Sequence, residues 1–398
     1  MPDLLERILS YAGEKGELIQ RGELAARKRR YRIISVDDHL IEPPELFTEH
    51  IESKFADRAP KVERDDSGND WWVFEKERVP LLGADAFMGW EPRHAYLGPV
   101  NFDEMHPAVY QIRERIKHMD VTGVEASLNF PSAPFGFAGR RFLAMDPELG
   151  LACVRAFNDW HLDVWAGTFP GRIIPNQLAW LGDPKIAAAE IRSNAARGFR
   201  AVSFSENPEK LGLPSLYTDH WDPFFTACEE TNTVINLHVG SSSSTFVPST
   251  DSAPAVLGAL FPVNGMATAA DWLFAGIPLR FPKIKIALSE GGIGWVPMFI
   301  DRVNHMARQL DYSEQFGPLD PVDVPRRNFW FTTFNDALTL PLRHQAGIDH
   351  IMLETDYPHS DSTWPDTQEI LASQFADIPE DETEKITHRN ARELYGLA

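Results

Sequence analysis

An α/β fold of the (β/α)8 barrel kind is what this sequence predicts. Eight short runs rich in β-branched and aromatic residues recur along it, helical spacing fills the stretches between, and several acids and histidines fall where the runs stop. The chain has 398 residues; a barrel of about 250 residues with insertions fills that length without a second fold. With 43% hydrophobic and 24% charged residues, both a buried core and a wetted surface are provided for.

The runs are Ile33 to Val36, Val124 to Leu128, Ile173 to Leu178, Ala201 to Phe204, Thr233 to Leu237, Lys285 to Ser289, Phe329 to Thr332 and Ile351 to Glu354. Strands alternating with helices imply right-handed parallel crossovers, and eight such units close a cylinder. An open doubly wound sheet is the competing architecture. No G-x-G-x-x-G follows any of these strands, and Gly291-Gly292-Ile293-Gly294 has the wrong spacing.

Residues 1–30 read as an N-terminal helical arm with Leu4, Leu5, Ile8 and Leu9 on one face, weakened by Gly13, Gly16 and Gly22. Such an arm packs on a neighbouring surface or subunit, so a homodimer or higher homo-oligomer is expected. The barrel then occupies residues 31–398. Residues 41 to 123 separate its first two strands, too many for a simple βα connection. A cap insertion is expected at about residues 45–110, with Asp70 to Pro80 as a β-hairpin and Gly83 to Pro107 irregular and aromatic. Loops after barrel strands open onto the C-terminal face, so the insertion would cover the mouth. Trp71, Arg93 and His94 are therefore candidate substrate contacts, the Arg93 guanidinium being suited to pair with a carboxylate. A decorative surface loop is the plain alternative.

The formal net charge of −20, from 58 acidic against 38 basic residues, repels phosphate backbones and anionic lipid. Nucleic-acid and membrane partners are excluded on that ground. The basic run Arg27, Lys28, Arg29, Arg30 is the local exception and reads as a solvated face or a contact to an acidic partner subunit. Cys153 and Cys228 form no C-x-x-C pair, which suits a reducing cytosol. The first six residues lack a signal-peptide pattern, and no apolar run approaches about 18 residues. A cytoplasmic protein is expected.

Asp37 and His39 end the first strand. Strand side chains alternate, so these two share a direction and Asp38 points the other way. His238 ends the fifth strand, Glu290 the sixth, and Asp356 follows the eighth, with His359 three residues on. Each has an ordinary reading: a hydrogen-bonded Asp–His pair, a structural histidine, a helix N-cap at Asp356, an ion pair of Glu290 with Arg302. All nonetheless fall on the face where barrel chemistry sits. Two imidazoles and two carboxylates, Asp37, His39, His238 and Asp356, can hold one divalent ion with a position left open. Glu290 is then an acid/base candidate, and His359 a substrate contact.

These residues carry a family pattern. It comprises Asp37-x-His39-x-x-Glu42, Met119-Asp120 with Gly123-Val124, His238, Ser289-Glu290-Gly291-Gly292, Asp356-Tyr357-Pro358-His359, and the closing Asn390-Ala391-Arg392-Glu393-Leu394-Tyr395-Gly396-Leu397. Over nearly the whole chain after residue 30 it resembles the amidohydrolase-related family that contains aminocarboxymuconate-semialdehyde, γ-resorcylate and 5-carboxyvanillate decarboxylases. The resemblance implies a TIM barrel of the metal-dependent hydrolase type. It also implies one zinc or manganese ion on Asp37, His39, His238 and Asp356, no organic cofactor and a small-molecule substrate. An aspartate where some relatives have the first histidine moves the site toward harder ions, leaving Mn²⁺ as plausible as Zn²⁺. One departure stands out: many members carry a histidine in an H-x-G setting at the end of strand six, where this chain has Glu290.

The expected activity is non-oxidative decarboxylation of a small aromatic or unsaturated carboxylic acid, with Asp356, Glu290 and His238 at the reacting centre and Asp356 carrying the proton. Hydrolysis of an amide, ester or lactone by a metal-activated water is the alternative, with Asp356 as base and Glu290 as acid. A non-catalytic barrel that only binds is the third reading.

Overall fold

The computed structural model describes residues 27–81, 83–88 and 100–397. Arg93, His94 and most of the expected N-terminal arm lie outside the described residues.

All eight anticipated strands are present and parallel: Ile33–His39, Val124–Phe130, Ile173–Ile174 continued by Asn176–Leu178, Ala201–Ser203, Val234–His238, Ile286–Ser289, Phe329–Thr333 and Ile351–Leu353. Each pairs with its neighbour in chain order. The third is split at Pro175, which has no N–H to give to a ladder. Its first half pairs with the second strand and its second half with the fourth. The seam between the eighth strand and the first is closed by Asp356 N donating to Asp37 O at 2.9 Å and His39 N to Tyr357 O at 2.6 Å.

Alternate strand residues feed two cores. Ile33, Val124, Val202, Ile235, Ile286, Phe331 and Leu353 face the surrounding helices, while Ile34, Val36, Ala126, Leu128, Ala201, Val234, Ala287 and Met352 fill the cylinder. The inner cluster is completed by Ala391, Leu394 and Tyr395 of the last helix, Asn390–Tyr395. That helix sits at the starts of the strands: Asn390 Nδ2 bonds the carbonyls of Ile348 and Ile351, and Arg392 pairs with Glu125. Alanines at 126, 201 and 287 leave room for the Tyr395 ring, whose hydroxyl donates to Asn236 Oδ1 at 2.6 Å. The bottom of the barrel is thus stoppered by side chains, which leaves the mouth for chemistry.

One irregularity matters for that mouth. The register of the first strand against the second slips between Ser35 and Asp38. Ile34 and Val36 point inward, and strict alternation would send Asp38 in after them; the extra residue re-aims the chain so that Asp37 and His39 face the mouth. Asp38 faces away, as expected, and accepts from Ser35 Oγ at 2.9 Å, Thr355 Oγ1 at 2.6 Å and Tyr357 N at 3.2 Å.

Between the first two strands lies a three-stranded antiparallel sheet, Lys61–Arg64, Asp70–Phe74 and Glu77–Pro80. It has one strand more than the hairpin expected there, because Lys61–Arg64 has no apolar run to announce it. Trp72 and Phe74 turn their buried face onto Phe47 and Phe135, with Trp72 and Phe135 ring centroids 5.0 Å apart. Phe135 belongs to the loop after the second strand, so this contact seats the small sheet near the mouth. The basic run is used within the chain: Arg27 pairs with Asp366 at 2.7 Å and Arg29 Nη2 donates to Asp120 O at 2.5 Å. Among the described residues no helix is long and apolar enough to cross a membrane.

Candidate metal centre

At the strand ends, side chains remote in sequence converge. His39 Nε2 lies 3.0 Å from His238 Nε2, 3.4 Å from Asp37 Oδ1 and 3.4 Å from Asp356 Oδ1. His238 Nε2 lies 3.5 Å from Asp37 Oδ2 and 3.6 Å from Glu290 Oε2. His39, His238 and Asp37 are wholly buried, and Asp356 is 1% exposed. Three of the four residues expected to share an ion, Asp37, His39 and His238, are therefore mutually within reach of one, while Asp356 meets this set through His39 and groups with Glu290 and His359.

The hydrogen bonding tells what is wanted there. His238 Nδ1 faces the carbonyl of Val239 at 2.6 Å and His39 Nδ1 that of Pro131 at 3.5 Å. A carbonyl only accepts, so each Nδ1 carries the proton and each Nε2 presents a lone pair. Two lone pairs 3.0 Å apart repel unless something positive sits between them. Neither oxygen of Asp37 has a hydrogen-bond donor, which buried carboxylates seldom tolerate. Ligand bonds of about 2.0–2.2 Å put neighbouring donor atoms about 3.0–3.5 Å apart in tetrahedral or octahedral sites. The spacings among Asp37, His39 and His238 fall in that interval, so these three fit a single divalent cation.

The electrostatics agree. Burial, then the nearby carboxylates of Glu354, Glu290 and Asp356, push the Asp37 carboxyl well above the usual carboxylate range. Burial does the same to Asp356. Burial holds His39 well below the ordinary imidazole value and lowers His238. A cation among them reverses the carboxylate shifts and suits neutral imidazoles.

The remaining candidates divide. Glu290 faces the site, while Arg302 lies along an exposed helix face beside Met306, so that ion pair is not formed. Glu290 and Asp356 both sit at positive φ, 61° and 53°, a conformation that costs non-glycine residues energy and collects at functional sites. Asp356 caps no helix; the next one, Thr367–Gln374, begins after Asp366. His359 stacks on His39 with centroids 3.7 Å apart and brings Nδ1 to 2.9 Å from Asp356 Oδ1 and 3.9 Å from Glu290 Oε1. Burial works against its charged form, yet Asp356, Glu290 and Asp85 hold its pKa well above the ordinary value. Trp71 is engaged within the small sheet, donating from Nε1 to Asp65 at 2.8 Å with Arg78 over its ring at 4.8 Å. Glu42 takes the N–H and hydroxyl of Ser132, and its carboxyl is pushed up to about 7 by burial. It therefore fixes the loop after the second strand.

Three contributors had no signal in the sequence. Phe137, in that same loop, covers both imidazoles, its centroid 4.2 Å from His238 and 4.8 Å from His39. Asp85, from the insertion, accepts from Ala133 N at 2.9 Å and places its charge near His359. Arg115, buried in the helix before the second strand, donates to the His39 carbonyl at 2.5 Å beneath the Tyr357 ring.

A model of the amidohydrolase family matches residues 93–397. An amidohydrolase from Mycobacterium avium subsp. paratuberculosis K-10 is similar with TM-score 0.74 and 26% identity, covering 93% of this chain and 100% of that one. A 5-carboxyvanillate decarboxylase from Sphingomonas paucimobilis has TM-score 0.62 and 19% identity over 92% and 99% of the two chains. A dihydroxybenzoic acid decarboxylase from Polaromonas sp. JS666, with bound manganese and 2-nitroresorcinol, has TM-score 0.61 and 17% identity over 92% and 97%. At such identities the last two establish a shared fold.

Proposed function

The chain belongs to the amidohydrolase family, and from that premise we propose that it is a divalent-metal-dependent enzyme that removes CO2 from a small aromatic or unsaturated carboxylic acid. The observation that carries the reading is the meeting of the His39 and His238 Nε2 atoms at 3.0 Å beside the Asp37 carboxylate, which lacks a donor. Asp37, His39, His238 and Asp356 would hold the ion, with manganese, present in the Polaromonas enzyme, as suitable as zinc. When bound, the ion supplies Lewis acidity and a template for the substrate carboxylate and an adjacent oxygen. Phe137 over the two imidazoles gives an aromatic ring a wall to lie against. Asp356 is placed to carry a proton to the carbon that loses CO2, and the electron pair of the broken C–C bond stays with the ring or diene. His359 and Glu290 flank it on the open side. Arg93, His94 and Trp71 are proposed to meet a second polar substituent. The decarboxylases among the similar structures support this class of reaction. Cys153 and Cys228, both free and buried, suit a reducing compartment.

Hydrolysis is the second reading, favoured by one feature: a carboxylate, Glu290, stands where many relatives carry a histidine, and it could protonate a leaving group. The two are separated on manganese-loaded protein by measuring ¹³CO2 release from labelled aromatic and dienoic acids against turnover of amides, esters and lactones. Labelled CO2 is expected. Turnover confined to the second panel hands the site to hydrolysis, and protein that binds acids without turning over either panel leaves a binding barrel.

A further inference from the structure

Behind His238 the peptide group joining Val239 to Gly240 is used at both ends. Its carbonyl faces His238 Nδ1 at 2.6 Å, and its N–H donates to Glu206 Oε1 at 3.0 Å. A trans peptide points its C=O and N–H in opposite directions, so one planar unit links the imidazole to the carboxylate. Gly240 stands at φ 85°, a turn that favours glycine. Glu206 follows the fourth strand, Ala201–Ser203, and is 5% exposed. Its Oε1 also accepts from Ser242 Oγ at 2.8 Å and Ser242 N at 3.5 Å, and its Oε2 from Thr268 Oγ1 at 3.3 Å. The main chain of Glu206 is pinned as well: its N–H donates to Ser241 Oγ at 2.9 Å, and its carbonyl accepts from Trp272 Nε1 at 2.9 Å.

Three donors on one oxygen favour the ionised carboxylate. Among the described residues its bonded partners are all neutral, and a buried charge without a cation is costly. Fixing the loop after the fifth strand asks only for an acceptor, which a glutamine supplies. The charge has a use at the other end of the peptide, where His238 turns its Nε2 toward the metal centre.

We propose that Glu206 is a positioning residue for His238. Acting through the Val239–Gly240 peptide, its carboxylate holds the ring with the proton on Nδ1 and makes Nε2 a stronger donor to a cation. Linked hydrogen bonds polarise one another, so the pull on the Gly240 N–H enriches the Val239 carbonyl, which grips the Nδ1 proton more firmly. No proton leaves its atom. The proposal rests on the reading of His238 as a metal ligand and adds to it a residue that acts from behind the ring.

Three full-length proteins test it. The first is unmodified; Glu206→Gln keeps an acceptor for the Gly240 N–H and removes the charge; Thr268→Val removes a neutral partner of the same carboxylate. Mn²⁺ affinity is measured by calorimetry, and the ring proton and nitrogens of His238 are followed by nuclear magnetic resonance in metal-free protein. Glu206→Gln should bind Mn²⁺ at least about tenfold more weakly and move the Nδ1 proton upfield, with Thr268→Val unchanged in both. A smaller loss of affinity, an unmoved proton, or an equal loss in Thr268→Val overturns the proposal and leaves Glu206 a fastener of the loop. A ring protonated on Nε2 in the unmodified metal-free protein overturns it too, and that measurement decides if a variant does not fold. Unmodified protein that takes up no Mn²⁺ overturns the reading of the metal centre itself, so the two failures are told apart.

Discussion

The two ends of this barrel are buried to a similar degree and finished in opposite ways. At the bottom, Tyr395 enters an apolar cluster and its one polar atom meets Asn236 Oδ1, while Asn236 Nδ2 takes the Val234 carbonyl at 3.3 Å. At the top, Asp37 has no donor for either of its oxygens, and two imidazoles point lone pairs at each other. A buried group with its partner contributes to stability; one without waits for something from outside. The contrast separates what holds the cylinder together from what it is for. It also appears within the first strand, where Asp38 is fully engaged and Asp37 beside it is not.

The comparison is broken most forcefully at the top. His238→Ala or Asp356→Ala should lower metal affinity and turnover by more than about a hundredfold, beyond what even supporting partners of a metal site cost, with the far-ultraviolet circular dichroism unchanged. Full metal content in either variant removes the assignment. At the bottom, Tyr395→Ala should cost about 3–5 kcal/mol in denaturant unfolding by leaving a cavity, yet bind metal with unaltered stoichiometry. Loss of the ion in that variant would mean the two ends are not independent. Metal itself should sharpen the difference: at one hundred times its dissociation constant an ion adds about 2.7 kcal/mol, read as a rise in melting temperature that His238→Ala abolishes and Tyr395→Ala keeps.

The smallest effect lies outside both ends. His161 is fully buried among Phe157, Trp160 and Phe199 with neither ring nitrogen partnered, and burial pulls its pKa down to about 3. The folded state holds this imidazole neutral, so its stability is intact above the ordinary imidazole value of about 6.5 and declines as pH falls from there toward about 3, by at most about 1.4 kcal/mol per unit. His161→Phe should flatten that acid limb in metal-free protein without moving the limb's neutral plateau by more than about 1 kcal/mol. An unchanged limb would assign the acid sensitivity to the carboxylates and histidines of the mouth.

Much of this was legible in the residues. β-branched runs such as Val234 to Leu237 announce buried parallel strands, and His238, Glu290 and Asp356 are conspicuous because they stand where such runs end. What was hidden depends on contacts between distant segments. The slip between Ser35 and Asp38 is set by the second strand, so period-two reading reached the right direction for Asp37 and His39 without the bulge that produces it. Pro175 looked like part of an unbroken strand because its cost falls on a ladder that changes partner there. Phe137, Asp85 and Arg115 sit in a loop, an insertion and a helix with no periodic signature, and only folding carries them to the centre. Tyr395 reads as an ordinary helix residue until the barrel gives it a hole to fill.

The amide hydrogens that join the last strand to the first are donated by His39 and Asp356, residues whose side chains converge at the mouth. Fastener and cargo are thereby one object: prising the staves apart displaces the grip, and a filled grip resists prising. Deuterium uptake at those two amides should slow when the protein is loaded, which makes the hoop of this cask a gauge of its contents.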